Sequence, residues 1–175
     1  FLVLGGNNTQ SVIENIKNQS FDGVDGVLSV VPYYNKPNQN GMFAHFKAVA
    51  DASPVPVVLY NVPGRTGVNM QAATTIALSD HNNIVAIKEA SGNIQQIMEI
   101  LRDKPSDFTV LSGDDAITQP LMSLGATGVI SVAANAYPKQ FCQMVHKMLD
   151  NVYSEALSIH YRLLKMNGLL FADGN

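Results

Sequence analysis

Residues 84–93 are Ile-Val-Ala-Ile-Lys-Glu-Ala-Ser-Gly-Asn, an apolar run that ends in polar residues and a glycine. Short apolar runs rich in β-branched residues predict strands that are buried on both faces of a parallel sheet. Similar runs recur along the chain, and the segments between them have apolar residues at helical spacing. We predict strands at Phe1 to Leu4, Val27 to Val31, Val55 to Tyr60, Ile84 to Ile87, Phe108 to Leu111 and Val129 to Val132.

This alternation allows two α/β architectures, an open doubly wound sheet and a (β/α)8 TIM barrel. Polar segments with glycine follow nearly every predicted strand, as the catalytic face of a barrel requires, whereas a doubly wound sheet concentrates them at one switch point. We expect residues 1–152 to form a partial barrel of about strands 3 to 8, with two units upstream. Residues 153–175 begin a C-terminal helical segment, with a helix over Tyr153 to Leu170.

The composition narrows the classes of partner. The chain has 175 residues, 46% of them hydrophobic, and a net charge of −3, with no run of basic residues that would suit nucleic acid. No apolar stretch approaches the roughly 20 residues that span a bilayer. The single cysteine, Cys142, lies in an apolar helical pattern and is predicted to be a buried structural thiol. We therefore expect no internal disulfide and a reducing, cytoplasmic setting.

Lys88 is the residue with the most distinctive chemistry. Because side chains alternate along a strand, Lys88 shares a face with Ile84 and Ala86, while Glu89 points the other way. An inward-facing ammonium is desolvated, which lowers its pKa and favours the free amine that attacks a ketone. The alternative is a lysine whose ammonium reaches water or a carboxylate at the strand end.

The segment Tyr60-Asn-Val-Pro-Gly-Arg-Thr-Gly67 follows the third predicted strand. Tyr60 stands where a phenol could transfer protons, or where an amphipathic ring could simply cap the barrel mouth. Arg65 lies in a loop of proline and glycine, where its planar guanidinium could bind a carboxylate or form a surface salt bridge.

Two further strand ends carry candidate residues. Pro32-Tyr-Tyr-Asn-Lys-Pro37 places Tyr33 and Tyr34 together in a loop, a pattern typical of a packing surface or interface. Leu111-Ser-Gly-Asp-Asp115 places two acids before a helix, and helix capping is favoured over metal binding. Other predicted helix caps are Thr9 and either Ser91 or Asn93.

Other chemistries lack support in the sequence. Leu4-Gly-Gly-Asn-Asn8 has neither phosphate-loop nor dinucleotide spacing. The histidines at positions 45, 81, 146 and 160 lack metal-ligand spacing and are expected on helix or loop surfaces. We therefore expect no metal and no cofactor.

Five motifs at the ends of consecutive predicted strands resemble those of the dihydrodipicolinate synthases, a family of pyruvate-dependent class I aldolases. In chain order, the matching motifs are Val-Pro-Tyr-Tyr-Asn (31–35), Leu-Tyr-Asn-Val-Pro-Gly-Arg-Thr-Gly (59–67), Ile-Lys-Glu-Ala-Ser-Gly-Asn (87–93), Leu-Ser-Gly-Asp-Asp (111–115) and Gly-Val-Ile-Ser-Val (128–132). Their order and spacing match along essentially the whole chain.

The resemblance implies a (β/α)8 barrel that condenses pyruvate with aspartate 4-semialdehyde, a step of lysine and diaminopimelate biosynthesis. Lys88 would form the imine, Tyr60 would transfer protons, and Tyr34 would enter the neighbouring subunit's site. It also implies a homotetramer made of two tight dimers, with no cofactor. The remaining implied roles are the dimer contact at Tyr33, semialdehyde binding by Arg65, substrate binding at Gly113 and Ile130, and a possible allosteric lysine contact at Asn8.

The chain departs from the family pattern in two places. The Gly-Thr-Thr-Gly-Glu motif, whose threonines bind pyruvate and link the two tyrosines, belongs to an early strand, so we expect it upstream of Phe1. A glutamate found in lysine-sensitive members corresponds to Val12, which argues against feedback inhibition.

Two rival interpretations remain. N-acetylneuraminate lyase and other pyruvate aldolases share the lysine, the tyrosine and the barrel, but Arg65 and the Lys-Glu-Ala-Ser-Gly-Asn run favour the synthase. A non-catalytic fragment that serves only binding or assembly is the second rival.

Overall fold

The structure, a computed structural model, describes residues 1–173. It divides into two compact units, the first spanning Phe1–Thr109 and the second beginning at Val110. In both units strands and helices alternate along the chain. The predicted alternation of strands and helices is therefore confirmed.

The first unit is built on parallel strands in chain order. The strands are β1 (Leu2–Val3), β2 (Val27–Val30), β3 (Val57–Asn61) and β4 (Ile84–Glu89). Its helices are α1 (Thr9–Asn18), α2 (Gln39–Ala52), α3 (Pro63–Thr66), α4 (Ala72–Ser79) and α5 (Ile94–Asp103). Each of the first three strands is thus joined to its parallel neighbour by a helical crossover.

The second unit contains a parallel pair of strands and a helical layer. Strand β5 (Thr109–Ser112) pairs with β6 (Gly128–Val129). The helices are α6 (Thr118–Ser123), α7 (Pro138–Leu149) and α8 (Tyr153–Leu170), with 3-10 helices at Asp115–Ile117 and Ala133–Asn135. Helix α8 has the predicted bounds and packs on α7. The boundary at residue 152 stays a prediction, and residues 174 and 175 lie outside the described residues.

The last strand is shorter than predicted. We expected it to run from Val129 to Val132, but it ends at Val129. The backbone N–H groups of Val132 and Ala133 donate to the Asp115 carboxylate at 3.0 and 2.8 Å, and a 3-10 helix begins there. A side chain therefore satisfies donors that a strand would have used in its ladder.

The Cys142 prediction is wrong, because this cysteine is exposed. The buried residues of α7 are Phe141, Met144 and Met148, which lie three and four positions apart. Cys142 follows Phe141 by one residue, about 100° around the helix, and so lies on the outer side. The helical spacing was recognised correctly, but the cysteine was placed on the wrong face.

The histidine prediction is only partly right. His146 is exposed and His81 is half-buried, but His45 and His160 are buried. His45 lies on α2 among Met42, Phe46 and Val49, and its Nδ1 lies 2.8 Å from the Thr9 hydroxyl. A histidine at an apolar helix position was therefore core rather than surface.

Candidate active site

Lys88 and Tyr60 are brought together by the register of two neighbouring strands. Tyr60 of β3 pairs with Lys88 of β4 in the parallel ladder. The Lys88 Nζ lies 4.2 Å from the centroid of the Tyr60 ring, within the range of a cation–π contact. The two residues to which the sequence assigned the central chemistry are thus direct neighbours.

The Lys88 side chain is removed from bulk water. It is only 7% exposed, although it lies one residue before the end of β4. The alternative of an ammonium extended into solvent does not fit this burial. An amine held in this way, with a phenol beside it, has the surroundings that imine chemistry requires.

Tyr60 is half-buried at the end of β3. Burial raises the pKa of its phenol, and the positive charge of Arg65 partly opposes that rise. The phenol therefore remains protonated at neutral pH and can donate a hydrogen bond or a proton.

Arg65 is presented by the short helix α3, directly after β3. Pro63 occupies the first turn, and Gly67 ends the helix in the left-handed region with φ of 73°. Glycine adopts this conformation without the steric cost of a Cβ. The Arg65 side chain is exposed, yet close enough for its charge to act on Tyr60.

The paired tyrosines lie in the loop after β2. Tyr33 is 44% exposed and Tyr34 is 87% exposed, and Tyr34 has a positive φ of 71°. Such a conformation is uncommon for a bulky residue. The Asn35 amide helps to hold the loop by donating to the Asn7 carbonyl at 3.1 Å. The loop therefore presents a large ring to solvent in a conformation that is costly for a residue with a Cβ.

Asn8 is the N-cap of α1, where Thr9 was predicted. Its side-chain oxygen accepts from the backbone N–H of Ser11 at 3.1 Å. Val12, the position at which lysine-sensitive relatives would carry glutamate, is buried against Ile16 and Val49. Allosteric binding at Asn8 stays a prediction.

Gly113 and Ile130 belong to the second unit. Gly113 directly follows β5, and Ile130 directly follows β6 and donates its N–H to the Ser112 carbonyl at 3.0 Å. The neighbouring carboxylate of Asp114 caps a 3-10 helix by accepting from the Ala116 N–H at 2.9 Å. The capping role predicted for this acid is confirmed.

No metal centre or membrane span emerges from the described chain. Within residues 1–173, histidine, cysteine and carboxylate side chains form no group of three or more arranged to hold a metal ion. Over the same residues, no helix combines the length and the apolar character needed to cross a membrane.

A buried acid and amide beside this pair were not singled out in the sequence. Asn61 follows Tyr60, Glu89 follows Lys88, and both are fully buried. The sequence placed Glu89 on the opposite face from Lys88, where strand alternation puts it. The available signal was the recurrence of a polar residue next to each candidate, inside otherwise apolar strands.

Parallel β/α units of this kind, with a buried lysine beside a tyrosine at the ends of two neighbouring strands, place the chain in the class of (β/α)8 barrel proteins. The model of the dihydrodipicolinate synthetase family matches residues 2–175. The chain belongs to this family.

Individual relatives agree with that assignment. A 4-hydroxy-tetrahydrodipicolinate synthase of Parabacteroides distasonis is 54% identical over 175 residues, covering 99% of this chain and 59% of the relative. A dihydrodipicolinate synthase structure from Cyanidioschyzon merolae with lysine bound is 47% identical with a TM-score of 0.92, covering 97% of this chain and 58% of that one.

A third relative is a chloride-inhibited dihydrodipicolinate synthase from Acinetobacter baumannii, complexed with pyruvate. It is 37% identical with a TM-score of 0.91, and the match covers 97% of this chain and 59% of that one. The predicted fold class, an incomplete (β/α)8 barrel, is therefore confirmed. The chain spans about 59% of the length of the relatives it matches.

Proposed function

We propose that the protein is a 4-hydroxy-tetrahydrodipicolinate synthase, a lyase that condenses pyruvate with L-aspartate 4-semialdehyde in lysine and diaminopimelate biosynthesis. The observation that carries the proposal is the buried Lys88 amine, 4.2 Å from the centre of the Tyr60 ring at the ends of neighbouring strands. Membership of the dihydrodipicolinate synthetase family supports the same activity.

Lys88 begins the proposed reaction by attacking the ketone carbon of pyruvate. The resulting carbinolamine loses water to give an imine, and loss of a methyl proton converts the imine into an enamine. The enamine carbon then attacks the aldehyde carbon, whose oxygen takes up a proton. Hydrolysis of the imine, or attack on it by the substrate's own amine during ring closure, releases Lys88. No cofactor is required.

The remaining residues are assigned supporting roles. Tyr60 transfers protons between the carbinolamine and the aldehyde oxygen, and Tyr34 of a neighbouring subunit extends that relay. Arg65 binds the carboxylate of the semialdehyde through its guanidinium. The backbone at Gly113 and Ile130 borders pyruvate.

The proposed assembly is a homotetramer of two dimers in the cytoplasm, with Tyr33 and Tyr34 at the tight dimer contact. The adjacent Tyr33 and Tyr34, 44% and 87% exposed, support this, because neighbouring apolar side chains left in water together are typical of a surface that binds a partner. The partners are small molecules and copies of the same chain, and neither nucleic acid nor membrane is involved.

Borohydride trapping tests the first chemical step. The native protein is incubated with pyruvate and sodium borohydride, and the modified lysine is located by peptide mass spectrometry. We expect a stable adduct on Lys88 and none in Lys88→Arg, with the half-buried Lys104 left unmodified as an internal control. Absence of an adduct from the wild-type protein would support a non-catalytic assembly role instead.

A second assay separates the synthase from its nearest enzymatic rival. The protein is supplied with pyruvate and either aspartate 4-semialdehyde or N-acetylmannosamine, and pyruvate consumption is followed. We expect turnover with the semialdehyde, because the role proposed for Arg65 is to bind the carboxylate of that substrate. Faster turnover with N-acetylmannosamine would assign the protein to the lyases.

A further inference from the structure

The Glu89 carboxylate is a buried acid immediately after the imine-forming lysine, on the other face of β4. It is 0% exposed, and the residue that pairs with it across the ladder is Asn61, directly after Tyr60. Asn61 and Glu89 therefore pair in the same way as Tyr60 and Lys88. They lie one residue further along the strands and on the opposite face of the sheet.

Both oxygens of Glu89 accept hydrogen bonds. The Asn61 amide donates to Oε1 and Oε2 at 3.3 and 3.2 Å, so the acid bridges the ends of β3 and β4. The backbone N–H of Ser91 donates to Oε1 at 2.7 Å, and the Gln96 amide donates to Oε2 at 3.4 Å. One carboxylate thus ties together two strand ends, the loop after β4 and the first turn of α5.

The network extends to the segment after Arg65. The Asn61 side chain accepts from the Met70 N–H at 3.0 Å and donates to the Asn69 side chain at 2.8 Å. The Asn69 amide in turn donates to Gln96 at 2.7 Å. Hydrogen bonds therefore link Glu89 to the segment that runs from Tyr60 through Arg65 to Met70.

Burial raises the pKa of Glu89, while hydrogen bonds from Ser91, Asn61 and Gln96 oppose the rise. An ionisable group in such a place is costly compared with a hydrophobic residue of similar size. In some proteins such groups are retained because they define a geometry that apolar packing leaves open.

We propose that Glu89 is a positioning residue that locks the ends of β3 and β4 in register and so holds Lys88 against Tyr60. This inference rests on the proposed function, because it concerns the lysine that forms the imine. Glu89 lies on the opposite face of β4 from Lys88, so it acts through the backbone and does not contact pyruvate.

Glutamine is an informative replacement because it keeps the shape of Glu89. The side-chain NH₂ of the new glutamine cannot face the backbone N–H of Ser91, because both groups are donors. It must therefore face the side-chain amides of Asn61 and Gln96. Those amides are donors here, and the Asn61 side chain is held in place by the Met70 N–H. In Glu89→Gln a donor therefore faces two other donors, and the hydrogen bonds that bridge the ends of β3 and β4 are weakened.

The test measures borohydride trapping of pyruvate over a range of pyruvate concentrations in wild type and Glu89→Gln. We expect the trapping rate at saturating pyruvate to fall about tenfold, while half-saturation changes by less than about twofold. The matched control Glu99→Gln, on α5 but outside the network, keeps the wild-type rate. A folded Glu89→Gln that traps at the wild-type rate, or that alters half-saturation alone, overturns the proposal.

A milder pair of variants covers the case in which Glu89→Gln does not fold, as judged by circular dichroism. Gln96→Met keeps the side-chain length but removes both the donor to Glu89 and the acceptor of Asn69, and we expect trapping about threefold slower at saturating pyruvate. Gln95→Met, at an exposed neighbouring position, is the control. Equal rates in the two variants overturn the positioning role. Failure of the wild-type protein to trap pyruvate is a separate result, which overturns the proposed function and this inference with it.

Discussion

Tyr60 combines two properties that a single substitution can separate. The Lys88 Nζ lies 4.2 Å from the centre of its ring, and its hydroxyl is the group assigned to proton transfer. Tyr60→Phe keeps the ring and removes the hydroxyl. We expect condensation with aspartate 4-semialdehyde to fall roughly 10²- to 10⁴-fold, because general acid–base catalysis contributes about that much.

The measurement for Tyr60→Phe is steady-state turnover, with the thermal unfolding midpoint as a check on the fold. The retained ring should keep that midpoint close to the wild-type value. A variant that turns over at more than about half the wild-type rate would show that the hydroxyl has no part in proton transfer.

His45 predicts how the stability of the fold depends on pH. Burial lowers the pKa of His45 to about 4, while an unfolded histidine titrates near 6.5. Between these values the unfolded chain binds the extra proton, so stability rises with pH and is lost on acidification. We expect this residue alone to reduce the free energy of unfolding by about 2 kcal/mol between pH 7 and pH 4.5.

The check on His45 is urea unfolding at both pH values for wild type and His45→Phe. Phenylalanine keeps a ring beside Phe46 and removes the titrating group, although it also loses the contact with Thr9. The change in unfolding free energy between the two pH values should therefore be smaller in His45→Phe. Buried His160, whose pKa is also lowered by burial, contributes to this change in both proteins. An equal difference in both proteins would exclude His45 as a source of acid sensitivity.

At the scale of single elements, helix caps make a local contribution that can be isolated. Asn38 caps α2, and its side-chain oxygen accepts from the Gly41 N–H at 2.9 Å. Asn38→Ala leaves that donor without its partner, so we expect unfolding to become easier by about 1 kcal/mol. Chemical denaturation measures the change.

The matched control for the cap is Asn40→Ala, at an exposed position inside the first turn of the same helix. Alanine is the better helix former there, so stability should stay level or rise slightly. Equal losses in both variants would show that the cap has no special role.

The sequence predicted an element well where residues within that element determine its ends. The central strands and α8 were predicted closely, because long periodic or continuous apolar runs define them. Strand β3 begins at Val57 rather than Val55, since Pro56 has no N–H for the ladder. The shortening of the last strand depends on Asp115, which is distant in sequence and could not be recognised as a partner for Val132.

The sequence predicted the candidate site only in part. Lys88 and Tyr60 were identified because polar groups at the ends of apolar strands are conspicuous, and parallel strands bring such ends together. Asn61 and Glu89 were passed over because alternation assigns them to the other face, which appeared remote from chemistry. Their mutual hydrogen bonds depend on strand register, which one sequence does not specify.

At the scale of the whole molecule, the proposed assembly accounts for the surface position of Tyr34. Tyr34 is 87% exposed in an uncommon backbone conformation, although the family resemblance assigns it to a catalytic site. Both observations are reconciled if the loop that carries Tyr33 and Tyr34 reaches into a second copy, where the ring is buried and its hydroxyl joins the relay.

Two variants of this loop separate assembly from chemistry. Tyr34→Phe keeps the ring and removes the hydroxyl, so we expect unchanged sedimentation but a condensation rate lower by roughly 100-fold, the lower end of what general acid–base catalysis contributes. Tyr33→Ala removes apolar contact area from the same loop, so we expect a shift to smaller species in analytical ultracentrifugation and a loss of activity that higher protein concentration partly restores. If Tyr33→Ala sediments as wild type does, the loop is not the dimer contact, and Tyr34 would have to act within its own chain.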